Sequence, residues 1–335
     1  MYRAEAAVSR MVLEPKESER QGIAGAWKYV ALAYATAWIL WIVCIRIHAS
    51  EQMLNLGAAG PAIAALILVR RSPVSFRRVT SGRILLFLLL VLGCSVVLSL
   101  YYVWRSNSTL NFQWDSWTLI PSIAPAWILC SLLSCDQGVK DLVRSLLRFT
   151  RWSLVALLII PGIVALGELS ALGLHQPLVL PNYHGTAANE IGEAVVFFLY
   201  NLFFVAVLEE PGWRGYLLPL LQARWSPLQS TLFVWGAWAL WHAPLDFSRP
   251  TPFTPMQYLE IRVIFLIPIA IVLTWLYNKG PRSLQACAIF HASMNTFPFV
   301  LPYWTPSFAL LFAIAGLAVV SDRMWRNREP KFPAS

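Results

Sequence analysis

The sequence predicts an all-α fold, a polytopic membrane protein with about eight to ten transmembrane helices. Three observations predict it. Of the 335 residues, 58% are hydrophobic and only 13% are charged, against about a quarter charged in a soluble domain. The apolar residues are gathered into long blocks and not spread at a strand or helix period. Blocks of roughly 20 residues match the ~30 Å of hydrocarbon that a helix must cross. Helices are implied because each backbone polar group in lipid must be satisfied within its own segment.

The elements run in chain order. Residues 1–28 carry mixed charges and no apolar h-region, so they read as a polar cytoplasmic arm and not as a cleavable signal peptide. The expected spans are 29–47, 53–69, 83–104, 117–134, 152–173, 196–222, 228–246, 257–277, 283–300 and 303–320. The second is interrupted by Gly57, Gly60 and Pro61, and the last two are separated only by Leu301 and Pro302. Glu168, near the outer end of the fifth span, reads as an interfacial carboxylate. Trp104, Trp117, Trp152 and Trp304 fall near span ends, as an aromatic belt would. The chain contains no internal repeat. The expected organisation is the arm 1–28, a first set of helices 29–189, a catalytic core 190–305, and a last helix with basic cytoplasmic tail 306–335.

The net charge of +9 is a topology signal. Arg70, Arg71, Arg77, Arg78 and Arg83 fall between spans two and three; Lys140, Arg144, Arg148 and Arg151 fall between four and five; Arg224, Lys279, Arg282 and the tail fall on the same side. The opposite loops, SNSTLNFQWDS and LHQPLVLPNYHGTAANE, hold no Lys or Arg. With ten spans, this positive-inside pattern places both termini in the cytoplasm, and the expected location is a bacterial cell membrane. The partner of these loops is the lipid bilayer, not nucleic acid. The five cysteines lack a C-x-x-C pair and lie mostly within spans, as small buried apolar residues.

An ionisable group inside a bilayer costs several kcal/mol, so each one there is a functional hypothesis. Three clusters qualify. In VLEEPGWRGY, Glu210 and Arg214 stand at i and i+4 and can pair. Glu209 then points about 100° away and is expected to be left unpaired. Pro211 frees the Val207 carbonyl and Gly212 loosens the turn. The plainer reading ends the span at Leu208 and leaves these charges among headgroups. In WALWHAPL, Trp238 and His242 share a face; an interfacial Trp/His belt is the plainer reading. In HASMN, His291 and Asn295 lie one turn apart, a pair that interhelical hydrogen bonding alone would explain.

Depth separates these readings. At ~1.5 Å per residue, Glu209 lies roughly 22 Å from Arg224, His242 roughly 24 Å from Ser226 and Asn295 roughly 20 Å from Arg282. With ~5 Å allowed for headgroup overhang and His291 one turn shallower than Asn295, all four fall near the middle of a ~30 Å core. Three helices thus put costly polar residues at one level, which scattered interfacial charges would not do. A carboxylate, two imidazoles and a carboxamide suit peptide hydrolysis. Glu209 and His242 can hold and deprotonate a water, and His291 and Asn295 can face an oxyanion. The Glu210–Arg214 pair would fix the helix that carries the base. Glu plus two His is also a zinc set, with Glu209, His242 and His291 as ligands if a metal is bound, although H-E-x-x-H is absent. No G-x-S-x-G, P-loop or dinucleotide fingerprint is present, and no Lys lies deep enough for a Ser/Lys dyad.

Glu209–Arg214, Trp238–His242 and His291–Asn295, in this order on successive spans, resemble the motifs of the intramembrane type II CAAX prenyl proteases and bacteriocin-processing enzymes. The likeness covers roughly residues 190–305. It implies that Glu209 and His242 activate water, that His291 and Asn295 stabilise the oxyanion, and that Glu210 and Arg214 are structural partners. Trp238 stands where the family usually has Phe, a change expected to affect packing more than chemistry. The family is labelled metalloprotease, and a metal-free glutamate mechanism is also argued for it, so the implied cofactor is zinc or none. The expected partner is a membrane-presented peptide or protein. A non-catalytic membrane scaffold or bacteriocin-immunity protein of the same fold is the alternative. A proton-relaying transporter is disfavoured by the lack of an inverted repeat.

Overall fold

A computed structural model describes residues 15–49, 51–69, 81–106, 116–133, 136–175, 187–248, 253–300 and 305–327. The basic stretch 70–80, the loops 107–115 and 176–186 and the tail from 328, which carry part of the expected topology, lie outside the described residues. All regular structure among the described residues is helical.

The helices, in order, are α1 (Pro15–Arg46), α2 (Glu51–Asn55), α3 (Gly60–Val69), α4 (Ser81–Ser106), α5 (Ser116–Leu132), α6 (Gln137–Leu147), α7 (Arg151–Gly173) and α8 (Ala187–Tyr200). They continue as α9 (Val207–Gly212), α10 (Leu218–Gln222), α11 (Pro227–Trp241), α12 (Ala243–Ser248), α13 (Pro255–Lys279), α14 (Leu284–Val300) and α15 (Thr305–Ser321). Within α1 the chain leaves the helical path at Gly22, where φ is 33°. Only glycine adopts such a backbone at no steric cost, and here the arm meets the membrane helix.

Five helical segments are long and apolar enough to cross a bilayer: Gly22–Arg46, Gly82–Leu100, Arg151–Gly173, Ala194–Gln222 and Pro255–Lys279. Met53–Val69, Ser122–Leu132 and Pro306–Ser321 are apolar but shorter. The protein is thus a polytopic α-helical membrane protein. Two expected spans come out shorter than proposed. The 228–246 block stops as a helix at Trp241, because Pro244 has no N–H to extend the ladder, and α12 starts afresh after His242. The 53–69 block is broken between Asn55 and Gly60 by a 3₁₀ turn, Leu56–Ala59.

One helix was not expected. α6 has Asp136 as its N-cap, accepting from the Val139 N–H at 3.1 Å. Its Val139, Leu142, Val143 and Leu146 form a buried stripe at helical spacing, while Arg144 faces outward. The bundle core joins residues of α1, α3, α5–α7, α9–α11 and α13–α15, with Trp41, Trp213, Trp238 and Trp241 among its largest buried side chains. α7 packs along α14, α11 along α13, and α3 lies against α9. The elements bearing the three motifs therefore meet in the interior.

Candidate active site

The segment carrying Glu209 is helical from Ala187 to Gln222 but not uniformly so. It is interrupted by two π-helical turns, Asn201–Ala206 and Trp213–Leu217, on either side of α9. A π turn inserts a residue and rotates the helix beyond it, and such turns are concentrated at functional sites. Pro211 and Gly212 therefore act within a helix that bulges and does not end. The reading in which the span stops at Leu208 is excluded, since Glu209 and Glu210 are buried and helical. Gly212 is required by packing: a Cβ there would stand 2.2 Å from the Tyr29 hydroxyl and 2.5 Å from the Pro61 carbonyl. In the first π turn the Asn201 side chain donates to the Phe197 carbonyl at 2.9 Å and to Thr296 at 3.3 Å, tying the bulge to α14.

The polar residues meet as one cluster. None of Glu209, Glu210, Arg214, Trp238 and His291 is more than 3% exposed. Arg214 Nη1 donates to Glu210 Oε1 at 3.0 Å, the expected i, i+4 pair. The same oxygen accepts from His291 Nδ1 at 2.7 Å, across 81 residues of chain. An ionised carboxylate only accepts, so the proton of this bond sits on Nδ1. A donor role at Nε2 then requires the doubly protonated ring, with Glu210 as counter-ion. Among the described residues, Glu210 Oε2 and Arg214 Nε and Nη2 have no hydrogen-bond partner.

Two expectations are corrected here. Glu209 is not unpaired: its Oε2 accepts from the Trp238 indole N–H at 2.7 Å. Trp238 is consequently more than a packing substitute for Phe, which has no N–H to give. The Trp238 ring also lies under the Arg214 guanidinium, 4.4 Å from ring centre to Cζ, and edge-on to His291 at 5.3 Å. Its carbonyl receives His242 Nδ1 at 2.8 Å. A carbonyl also only accepts, so the proton of this bond sits on Nδ1. His242 is half-buried at the end of α11. Asn295 is half-buried on α14, one turn beyond His291.

Sequence reasoning missed a second buried ion pair. Asp246, one turn beyond His242 on α12, accepts from Arg262 Nε and Nη2 of α13, both at 2.6 Å. Asp246 is 1% exposed. The signal for it is Arg262 itself, an ionisable residue inside the expected span 257–277. The tyrosine and tryptophan donors of α1 that reach α11 carry no such signal, because aromatic residues in a span are ordinary.

The zinc set of Glu209, His242 and His291 is not assembled. Among the described residues no three His, Cys, Asp or Glu side chains stand where they could hold a metal ion. One nitrogen of each imidazole and one Glu209 oxygen already bond to protein groups that a ligand would have to keep as supports. The metalloprotease label is not shown.

Fold and cluster together define a class: a helical membrane protein that buries two carboxylates, a histidine and an arginine, with a second, half-buried histidine, where three helices meet. Residues 191–297 match the family described as type II CAAX prenyl endopeptidase Rce1-like. The chain is also 24% identical over 214 residues to CAAX prenyl protease 2 of Methanococcus maripaludis, covering 58% of this chain and 78% of the relative. The likeness carried by the three motifs is thereby shown, and the matched segment contains every residue of the cluster.

Proposed function

We propose that the protein is an intramembrane endopeptidase of the CAAX type, acting on a membrane-presented peptide or protein, with catalysis carried by residues 190–305. The observation that carries the reading is the Glu209–Trp238–His242 arrangement. In it Trp238 donates its indole N–H to the buried Glu209 carboxylate and gives its backbone carbonyl to His242 Nδ1, so that one residue bonds to both. Glu209 and His242 hold a water and take its proton as its oxygen attacks the scissile carbonyl. The tetrahedral intermediate's oxygen lies toward His291 and Asn295, one turn apart on α14. The proton then passes to the departing amine, the C–N bond breaks, and an acid and an amine leave. Glu210 and Arg214 hold His291 and the α9 helix in place.

A substrate with a C-terminal C-a-a-X sequence fits the likeness to CAAX proteases. The test is quantitative mass spectrometry of membranes from cells whose only copy carries Glu209→Gln. Uncleaved peptides sharing a C-terminal motif are expected to accumulate relative to wild type. An unchanged membrane peptidome, with the variant present at normal level, favours a non-catalytic scaffold or immunity protein of the same fold.

A further inference from the structure

An α-helix leaves its last carbonyls without partners of its own, and a buried orphan is costly. At the end of α11 the Leu245 and Asp246 N–H groups both go to the His242 carbonyl, at 2.9 and 3.1 Å. The Trp241 carbonyl, immediately before His242, is met instead by the Trp38 indole N–H at 2.8 Å. A turn earlier, the Ala237 carbonyl accepts from the Tyr34 hydroxyl at 2.5 Å. Both donors sit on α1, 203 residues away in the chain and outside the matched segment 191–297. They lie one turn apart, with their rings 5.0 Å from each other. A third α1 side chain, Trp41, packs at a tilt of 54° on Trp241 with ring centres 4.5 Å apart, and Trp241 in turn meets the His242 ring edge-on at 4.8 Å.

We infer that Trp38 and Tyr34 are positioning residues for His242: the first helix caps the end of α11 and so fixes the imidazole, and the site is incomplete without it. This rests on the role proposed for His242. The clasp acts at two points. Trp38 holds the carbonyl that precedes His242, and Trp41 holds the ring beside it. His242 Nδ1 is anchored to Trp238, four residues back on the same helix, so a shift of the α11 end moves both. A misaligned base weakens only interactions made in the transition state, so the loss belongs to kcat and not to KM. Trp38 matters more than Tyr34. Ala237 lies inside the helix, where an N–H four residues on can still serve its carbonyl, whereas Trp241 is at the end.

The experiment uses the full chain in lipid nanodiscs and ring-retaining variants. Turnover of a prenylated C-a-a-X peptide is measured with Trp38→Phe and Tyr34→Phe. In parallel, the rate of carbethoxylation of each of the five histidines by diethyl pyrocarbonate is read by mass spectrometry. For Trp38→Phe, kcat is expected to fall about tenfold with KM within about twofold, the scale of a small misplacement of a catalytic group. The His242 modification rate is expected to change about threefold while the other histidines keep theirs; Tyr34→Phe does the same by less. Wild-type kcat with an unchanged His242 rate overturns the inference, and so does an equal change at all histidines, which marks a loosened fold. If the wild-type protein does not cleave the peptide, the proposed activity fails and the His242 rate alone decides. If Trp38→Phe does not reach the membrane, Tyr34→Phe is read by the same criteria.

Discussion

Trp238 is the side chain on which the others meet. It donates to Glu209, lies under Arg214, abuts His291 and gives its carbonyl to His242. A hydrogen bond to an ionised group contributes about 1.5–3 kcal/mol. Phe at this position would keep the ring contacts and lose only the donor. Trp238→Phe is therefore expected to lower kcat about ten- to a hundredfold, the rate equivalent of that bond. Its thermal midpoint should stay within a few degrees of wild type. Steady-state kinetics with a calorimetric scan checks this, and unchanged kcat would deny Trp238 its role. The positions of the cluster were legible in the sequence because charges are conspicuous inside apolar blocks. The bonds between them were not. Which carboxylate faces Trp238 and which faces His291 depends on helix rotation, and the two π turns beside α9 reset that rotation.

At the scale of elements, the site depends on two helix irregularities: the bulged segment around α9, and the break at His242. The second is secured by the Asp246–Arg262 pair, which ties α12 to α13 with two bonds to a carboxylate that solvent does not reach. Removing one partner of a buried pair typically costs about 3–5 kcal/mol, whereas replacing both with apolar groups is often near neutral. Asp246→Leu is thus expected to destabilise strongly, and the double variant Asp246→Leu/Arg262→Leu to recover most of the loss. Thermal unfolding of the purified variants in one detergent measures both. A double variant no more stable than the single one would show that the pair itself, and not the stranded charge, holds the break. The break was half legible, since Pro244 announces it. The partner was not, since Asp246 and Arg262 are sixteen residues apart with no fixed helical spacing between them. α6 escaped for another reason: its apolar stripe is short, and Lys140 and Arg144 read as loop charges.

At the scale of the molecule, the class of fold comes from hydropathy alone, because lipid leaves helices as the only open-ended way to satisfy a spanning backbone. How the helices assemble does not. The first helix lies far from the motifs in sequence, yet it packs onto α3, α10 and α12 and caps the helix that ends at His242. The matched segment is thus built into a larger bundle, with side chains beyond it bonded to its helices. The measurement that tests the central claim most directly is turnover of a prenylated C-a-a-X peptide by purified protein in nanodiscs, comparing wild type with Glu209→Gln. The amide keeps the size of the side chain and removes the base. The account predicts that wild type releases the C-terminal fragment, and that the variant, folded and equally stable, is slower by about a thousandfold or more, at the upper end of what a general base contributes. Turnover by Glu209→Gln within a few-fold of wild type would contradict it.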